Sequence, residues 1–263
     1  MELFAPVNKI IPFSLVDGPG SRCSVFLQGC NVACVYCHNP ETQGLCRNCG
    51  ECVAVCPADA LTQIGCHVAW DKDVCVQCDN CIRACRHHAS PKVRWMTPSE
   101  VAEIIESYQP FIRGITVSGG ECMMHPEWMA RLFERCHERG LTALVDSNGF
   151  VPFSEHPDLL DACDGVMLDV KAWDEQVCDR LTMRGDVSVV KENLALLAER
   201  DKIEELRIVV VDGWNDPEDT IAGIAGLLGE KLVSTRLKLI RFRNFGVQGE
   251  LADAPSPSEA RIS

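Results

Sequence analysis

The sequence predicts an α/β protein: an open, partial (β/α)6 barrel of parallel strands, with a cysteine-rich insertion after its first strand. Strands and helices alternate through most of the 263 residues, which is typical of a parallel sheet. Most of the 17 cysteines are crowded between Cys30 and Cys85. Six strand and helix units are too few for a closed eight-stranded barrel, so we expect the sheet to stay open.

The first predicted strand, Arg22–Gln28, ends just before Cys30. Thr97–Glu100 has the pattern of a capping box with Pro98 at the first helical position, so a helix is predicted to begin there. Later buried strands are predicted at Gly114–Ser118, Leu141–Asp146, Gly165–Asp169, Leu206–Val211 and Arg236–Ile240. The helices between them are predicted near 126–139, 155–163, 187–200 and 217–229, the last one capped by Asp216.

These elements predict two domains. The barrel would use residues 1–40 and 95–263, and the insertion residues 41–94. A further capping-box pattern, Ser256–Glu259, stands four residues before the end. We therefore expect the natural chain to continue past Ser263, or its tail to be missing.

Composition limits the classes of function. The sequence has no apolar span of membrane length and no secretory leader, so we expect a cytoplasmic protein with no membrane partner. Metal ligation in a reducing, oxygen-poor setting then explains the cysteines better than disulfides do. The net charge of −13 argues against binding nucleic acid. Residues 41–94 carry six basic and six acidic residues, so the acidic excess lies on the rest of the chain.

Cys30, Cys34 and Cys37 form the pattern C-x3-C-x2-C. Three thiolates can hold a 4Fe-4S cluster that has one iron open to a substrate, as a catalytic metal site requires. The alternatives are a structural zinc site or free thiols.

Two ferredoxin-type runs follow: Cys46, Cys49, Cys52 and Cys56, then Cys75, Cys78, Cys81 and Cys85. They predict two further 4Fe-4S clusters, the fourth cysteine of each run ligating the other cluster. Arg86 replaces the usual proline of the second run. Cys66 is interpreted as a spare buried thiol or a substitute ligand. The remaining cysteines are expected to be small buried side chains: Cys23, Cys122, Cys136, Cys163 and Cys178.

The other unusual motifs also follow predicted strands. Gly119-Gly120-Glu121 follows the second strand, Asp146-Ser147-Asn148-Gly149 ends the third, and Asp169-Val170-Lys171 ends the fourth. Chemistry in parallel barrels lies at the carboxyl ends of the strands. This shared position predicts a single site.

Taken together, C-x3-C-x-aromatic-C with Tyr36 and the later Gly-Gly-Glu resemble the radical S-adenosylmethionine (SAM) superfamily. Asp17-Gly18-Pro19-Gly20 and the Asp-Ser-Asn-Gly and Asp-Val-Lys motifs resemble its branch of glycyl radical enzyme activating enzymes. The two ferredoxin runs make the chain similar to the YjjW type of that branch.

The resemblance implies that the three-cysteine cluster binds SAM and cleaves it reductively to a 5'-deoxyadenosyl radical. That radical would abstract a hydrogen from a glycine of a partner glycyl radical enzyme. It also implies that Tyr36 and His38 line the adenine side, that Gly119 and Gly120 let the backbone approach a ligand, and that Glu121 accepts the methionyl amino group. Asp169 and Lys171 would serve the SAM site. Packing, turn or surface roles are the alternatives for these residues.

Relatives hold a monovalent cation at positions that match Asp146, Ser147, Asp169 and the carbonyl of Met167; an ordinary turn is the alternative. Arg207 is expected against the carboxylate or ribose of the ligand, or as an exposed strand-end charge. The sequence departs from the family at Cys122, where many relatives have proline. Arg243 stands where relatives often have a histidine that contacts SAM. In this chain that contact must come from the arginine or be absent.

Three functions remain possible on the sequence. The first is an activase acting on a glycyl radical enzyme and reduced by a flavodoxin- or ferredoxin-type donor. The second is a radical SAM enzyme that modifies a small molecule or peptide and uses the extra clusters for redox. The third is an electron carrier, which would have no use for an open iron.

Overall fold

The structure, a computed structural model, describes residues 2–184 and 186–261. Its strands are β1 Ala5–Ser14, β2 Arg22–Leu27, β3 Leu61–Ile64, β4 His67–Trp70, β5 Arg94–Met96, β6 Gly114–Gly119, β7 Thr142–Ser147, β8 Gly165–Asp169, β9 Ile203–Val210 and β10 Leu237–Arg241. Its helices are α1 Asn80–Arg83, α2 Pro98–Glu106, α3 Pro126–His137, α4 Pro157–Ala162, α5 Glu175–Thr182, α6 Ser188–Glu199 and α7 Pro217–Leu228.

Within the described residues the main sheet has the order β10-β9-β8-β7-β6-β2-β1-β5. The six strands from β10 to β2 are parallel. The strands β10 and β5 are the two edges, so the sheet is an open, partial barrel. The predicted fold class is confirmed.

The predicted strands and helices of the barrel are found within a few residues of their expected bounds. Thr97 forms the predicted capping box, accepting from the amide of Glu100 while the Glu100 carboxylate accepts from the Thr97 amide. The strands β1 and β5 were not predicted: β1 pairs antiparallel with β2, and β5 pairs antiparallel with β1. The helix α5 and the hairpin of β3 and β4 were not predicted either. The predicted helix after Ser256 is a short 3-10 turn, Glu259–Arg261.

The hydrophobic core fills the space between the sheet and its helices. Side chains of the insertion form a separate small cluster around Cys52, Leu61, Val68 and Cys81. No helix of the described residues is long and apolar enough to cross a membrane.

Arg22 is a fully buried charge at the start of β2. Its guanidinium donates to the hydroxyls of Thr116 at 2.9 Å and Thr142 at 3.0 Å, and to the carbonyls of Ile115 and Thr142. Burial lowers the pKa of Arg22 to about 10, so the side chain stays charged at neutral pH. One side chain thereby joins β2, β6 and β7 at the amino end of the barrel.

Replacing Arg22 with methionine should lower the free energy of unfolding by about 3 kcal/mol, because buried carbonyl and hydroxyl groups lose their donors. Anaerobic urea denaturation measures the change. The matched control is Arg131→Met, which removes only an exposed ion pair to Glu134 and should cost less than about 1 kcal/mol. Equal losses in the two variants would contradict this role of Arg22.

Candidate functional site

The loop that carries Cys30, Cys34 and Cys37 follows β2 at the carboxyl edge of the sheet. Its backbone is held by α5, because the amides of Ala33 and Val35 donate to the carbonyls of Thr182 at 3.1 Å and Leu181 at 2.9 Å. All three thiols are partly exposed. Burial raises the pKa of Cys30 to about 11 and of Cys34 to about 12, and also raises that of Cys37. Three soft sulfur donors in one loop suit iron-sulfur ligation chemically.

Gly119 and Gly120 bring the end of β6 against the start of this loop. The amide of Gly120 donates to the carbonyl of Leu27 at 3.0 Å, and that of Glu121 to the carbonyl of Gly29 at 2.8 Å. A Cβ at Gly119 would lie 2.2 Å from the Leu27 carbonyl oxygen, and one at Gly120 2.1 Å from that of Gly29. We expected these glycines to admit a ligand. The close approach in the structure is to the chain's own backbone.

Glu121 is 1% exposed and both of its carboxylate oxygens are engaged inside the protein. One oxygen accepts from the Met123 amide and the Ser147 hydroxyl, each at 2.9 Å, and the other from the Asn148 amide at 2.8 Å. Burial raises the pKa of Glu121 to about 7, against the effect of these donors. The carboxylate therefore joins the ends of β6 and β7. Its expected contact with the methionyl amino group stays a prediction.

Asn148 connects this joint to the cysteine loop. Its side-chain amide donates to Asn31 Oδ1 at 2.8 Å and lies 3.7 Å from the sulfur of Cys30. Its side-chain oxygen accepts from the Phe150 amide at 3.0 Å. Asn148 itself was given no role on the sequence, because Asn-Gly is also an ordinary turn sequence.

Lys171 is buried beside the cysteine loop. Its ammonium contacts Asp169 at 2.5 Å and lies 5.8 Å from the centre of the buried Tyr36 ring. Burial alone would lower the pKa of Lys171, but the nearby Asp169 carboxylate raises it well above its usual value. Lys171 therefore remains a cation next to the thiols.

Arg207 lies inside the sheet and not at an exposed strand end, since it is 7% exposed. Its guanidinium contacts Asp146 at 3.2 Å and Glu205 at 2.7 Å. Burial raises the pKa of Asp146 to about 6 in spite of this pairing. Arg207 and Lys171 thus already neutralise Asp146 and Asp169. A monovalent cation at these residues stays a prediction, as does a contact between Arg207 and the ligand.

His38 and Arg243 meet through the backbone. His38 Nε2 lies 2.7 Å from the carbonyl oxygen of Arg243, and the His38 ring stacks on Phe242 with centroids 6.1 Å apart. The Arg243 residue itself is exposed. The loop after β10 is therefore fixed to the cysteine loop, and a SAM contact by the Arg243 side chain stays a prediction.

The two ferredoxin-type runs surround two cavities. The first cavity is lined by Cys46, Cys49, Cys52, Cys81 and Cys85. The second is lined by Cys56, Cys75, Cys78 and Cys81. Each cavity thus contains three cysteines of one run and the fourth of the other, and Cys81 lines both.

Trp70 gives the second cavity an unusual feature. Its indole Nε1 is buried and has no hydrogen-bond partner among the described residues, and the side chain lines the cavity. A buried donor of this kind is costly unless a bound group accepts from it. The sulfur atoms of a cluster are suitable acceptors. The thiols and this donor fit an iron-sulfur cluster here.

The remaining cysteines divide into two groups. Cys66 is exposed at the hairpin turn and lines neither cavity, so the prediction that it is buried was wrong. The five cysteines without ligand spacing are buried as predicted: Cys23, Cys122, Cys136, Cys163 and Cys178. Among the residues that the structure describes, no group of three or more His, Cys, Asp or Glu side chains lies close enough together to hold a single metal ion.

An open parallel sheet with a three-cysteine loop at its carboxyl edge defines a radical SAM protein. The Radical SAM superfamily model matches residues 24–223, and the chain belongs to that superfamily. SuiB of Streptococcus suis, solved with its precursor peptide SuiA, shares this fold with a TM-score of 0.52 at 12% identity. The match covers 86% of this chain and 41% of SuiB.

The relatives define the branch. A Haemophilus influenzae protein described as a glycyl-radical enzyme activating enzyme is 32% identical, over 95% of this chain and 86% of its own length. The choline trimethylamine-lyase activating enzyme of Oleidesulfovibrio alaskensis is 31% identical, over 87% and 79%. The pyruvate formate-lyase 1-activating enzyme of Escherichia coli is 24% identical, over 94% and 84%. Within the superfamily, the chain belongs with the glycyl-radical enzyme activating enzymes.

Gly120→Ala should lower the free energy of unfolding by about 3 kcal/mol, because the new Cβ meets backbone atoms of Gly29 and Thr42 that cannot rotate away. Urea denaturation measures the loss. Gly226→Ala is the matched control: nothing lies within 4 Å of its Cβ position in α7, so it should stabilise by about 0.5–1 kcal/mol. A neutral Gly120 variant would show that the close packing is not required.

If Cys30, Cys34 and Cys37 hold a 4Fe-4S cluster, Asn148→Ala should lower its reduction potential by about 40 mV, the equivalent of about 1 kcal/mol for a one-electron couple. The reason is that the Asn148 amide, 3.7 Å from the Cys30 sulfur, favours the more negative reduced state. A redox titration followed by electron paramagnetic resonance measures the shift. The signals of any auxiliary clusters in the same sample would be the control, and a common shift of all signals would contradict the prediction.

Proposed function

We propose that the protein is an activase for a glycyl radical enzyme and that Cys30, Cys34 and Cys37 hold its SAM-binding 4Fe-4S cluster. When bound, this cluster supplies the electron that cleaves SAM to methionine and a 5'-deoxyadenosyl radical, and the radical takes a hydrogen atom from a glycine of the partner. The observation that carries the proposal is the three-thiol loop at the carboxyl edge of the open sheet, in a chain whose relatives are activating enzymes.

The residues around the loop have distinct parts in this proposal. Lys171, a buried cation beside the thiols, attracts the carboxylate of SAM, and Asp169 holds the ammonium in place. Tyr36 packs under Lys171. Gly119, Gly120 and Glu121 fix the backbone on which the cysteine loop depends.

Further polar groups complete the proposed SAM site. Ser147 is tied to Glu121, and Arg207 is tied to Asp146, so both present fixed hydrogen-bonding groups at the carboxyl edge. His38 and Arg243 close the adenine side through their shared hydrogen bond. If the proposed monovalent cation binds, the ion pair between Asp146 and Arg207 must break so that the Asp146 carboxylate can coordinate the cation.

The insertion, residues 41–94, would hold two auxiliary 4Fe-4S clusters as a separate ferredoxin-type domain, the arrangement of the YjjW type. The lining of both cavities and the unpaired Trp70 donor support this assignment. We propose a flavodoxin- or ferredoxin-type protein as electron donor and the cytoplasm as location. The net charge of −13 argues against nucleic acid and gives no reason to propose a membrane partner.

The partner's glycine would reach the site from the open side of the sheet. The strands β10 and β5 are separate edges in the sheet order, so the barrel wall is interrupted between them. A loop of a large protein needs such an entrance, because a closed barrel has its core filled by side chains.

The test uses anaerobically reconstituted protein with SAM, dithionite and candidate glycyl radical enzymes. We expect about twelve irons per chain and a glycyl doublet by electron paramagnetic resonance on the partner. Replacing Cys30, Cys34 and Cys37 together with alanine should remove about four irons, all SAM cleavage and the doublet. Cys66→Ala is the matched control, because Cys66 lines neither cavity. This variant should keep its full iron content, SAM cleavage and the glycyl doublet. SAM cleavage by the triple variant would overturn the assignment.

A further inference from the structure

Both ends of the insertion lie next to the first cavity. On the entering side, the Cys30 amide donates to the carbonyl of Gln43 at 2.9 Å, and Cys46 follows Gln43 by three residues. A short run of peptide units and one hydrogen bond therefore links a lining cysteine of the first cavity to a cysteine of the catalytic loop.

The returning side reaches the same place. Cys85, which lines the first cavity, precedes His88 by three residues, and the His88 carbonyl accepts from the Gly44 amide at 2.7 Å. The Gln28 side chain also donates to the Gly44 carbonyl, at 2.5 Å. The two stems are thus bonded to each other and to the end of the strand that carries the catalytic loop.

The second cavity has fewer links to this junction. Of its lining residues only Lys92 belongs to the returning stem, and the Lys92 ammonium pairs with Asp79 inside the insertion at 2.5 Å. Its lining also includes Cys75, whose neighbours Val74 and Val76 are 48% and 63% exposed. The polar contacts around it stay inside the insertion, as when the Asp71 amide donates to the Ala60 carbonyl at 2.9 Å.

We propose that the two auxiliary clusters work in a fixed order: the cluster of the first cavity is the inner one and passes electrons directly to the three-cysteine cluster, and the cluster of the second cavity is the outer one and receives them from the external donor. This order rests on the proposed function. One electron leaves the reduced donor and reduces the outer, the inner and then the catalytic cluster in turn, each being reoxidised as it passes the electron on. No proton or chemical group moves between the clusters.

The main test removes one ligand from each cavity. Cys49→Ala affects the first cavity and Cys78→Ala the second, and each variant should lose about four irons. In the fully reduced protein, electron paramagnetic resonance reports magnetic coupling between neighbouring clusters. The signal that responds to SAM should lose its dipolar broadening in the Cys49 variant and keep it in the Cys78 variant. The reverse pattern would overturn the order.

A second measurement keeps every cysteine ligand, in case one substitution empties both cavities. Trp70→Phe removes the unpaired indole donor at the second cavity and should lower the midpoint potential of the outer cluster alone. Trp95→Phe is the matched control, since Trp95 lies on β5 with 60% exposure and should shift no potential.

The response to Trp70→Phe identifies the signal of the outer cluster. Samples are then poised at successive reduction potentials, so that the auxiliary clusters are reduced one after the other. These samples show which auxiliary cluster, when reduced, speeds the spin relaxation of the SAM-responsive signal. We expect the cluster that is insensitive to Trp70→Phe to do so. If the Trp70-sensitive cluster does so instead, the order is wrong, although SAM cleavage and the glycyl doublet would still uphold the proposed function. If the unmodified, reconstituted protein fails to cleave SAM, the proposed function itself is overturned.

Discussion

The close backbone packing between the end of β6 and the start of the cysteine loop is the constraint on which the site depends. Gly119 and Gly120 leave no room for a Cβ against Leu27 and Gly29, so any other residue would push the two segments apart. The carboxylate of Glu121 then joins β7 to the same point. The ends of three strands are thereby fixed relative to the thiols, as a site that must hold a cluster and SAM in register requires.

The charges inside the barrel are arranged in pairs around this framework. Asp146 and Glu205 share Arg207, and Asp169 holds Lys171. Buried charges are tolerated when they are paired and hydrogen-bonded. Of the two cations, Lys171 is the one beside the cysteine loop, which supports its proposed role of attracting the carboxylate of SAM.

Local patterns in the sequence predicted the parallel core well. The strand bounds follow hydrophobic runs, and the capping boxes and prolines mark helix starts. The missed elements depend on distant contacts. The strand β5 is three residues long and pairs with β1, about ninety positions earlier. For the site, spacing identified the cysteines. It could not reveal that Glu121 is an internal joint, that Asn148 reaches Cys30, or that the Trp70 indole lacks a partner.

The place of the insertion in the chain would allow the proposed auxiliary clusters to be added without disturbing the barrel. Its stems are bonded to each other where Gly44 meets His88, so the insertion begins and ends at nearly the same point. Domains are tolerated at such positions because closely spaced ends do not separate the elements on either side. The stems leave directly from the catalytic loop and return to β5, the edge strand, which pairs with β1 beside β2. The inserted domain is therefore attached to the one loop whose cysteines it would have to supply with electrons.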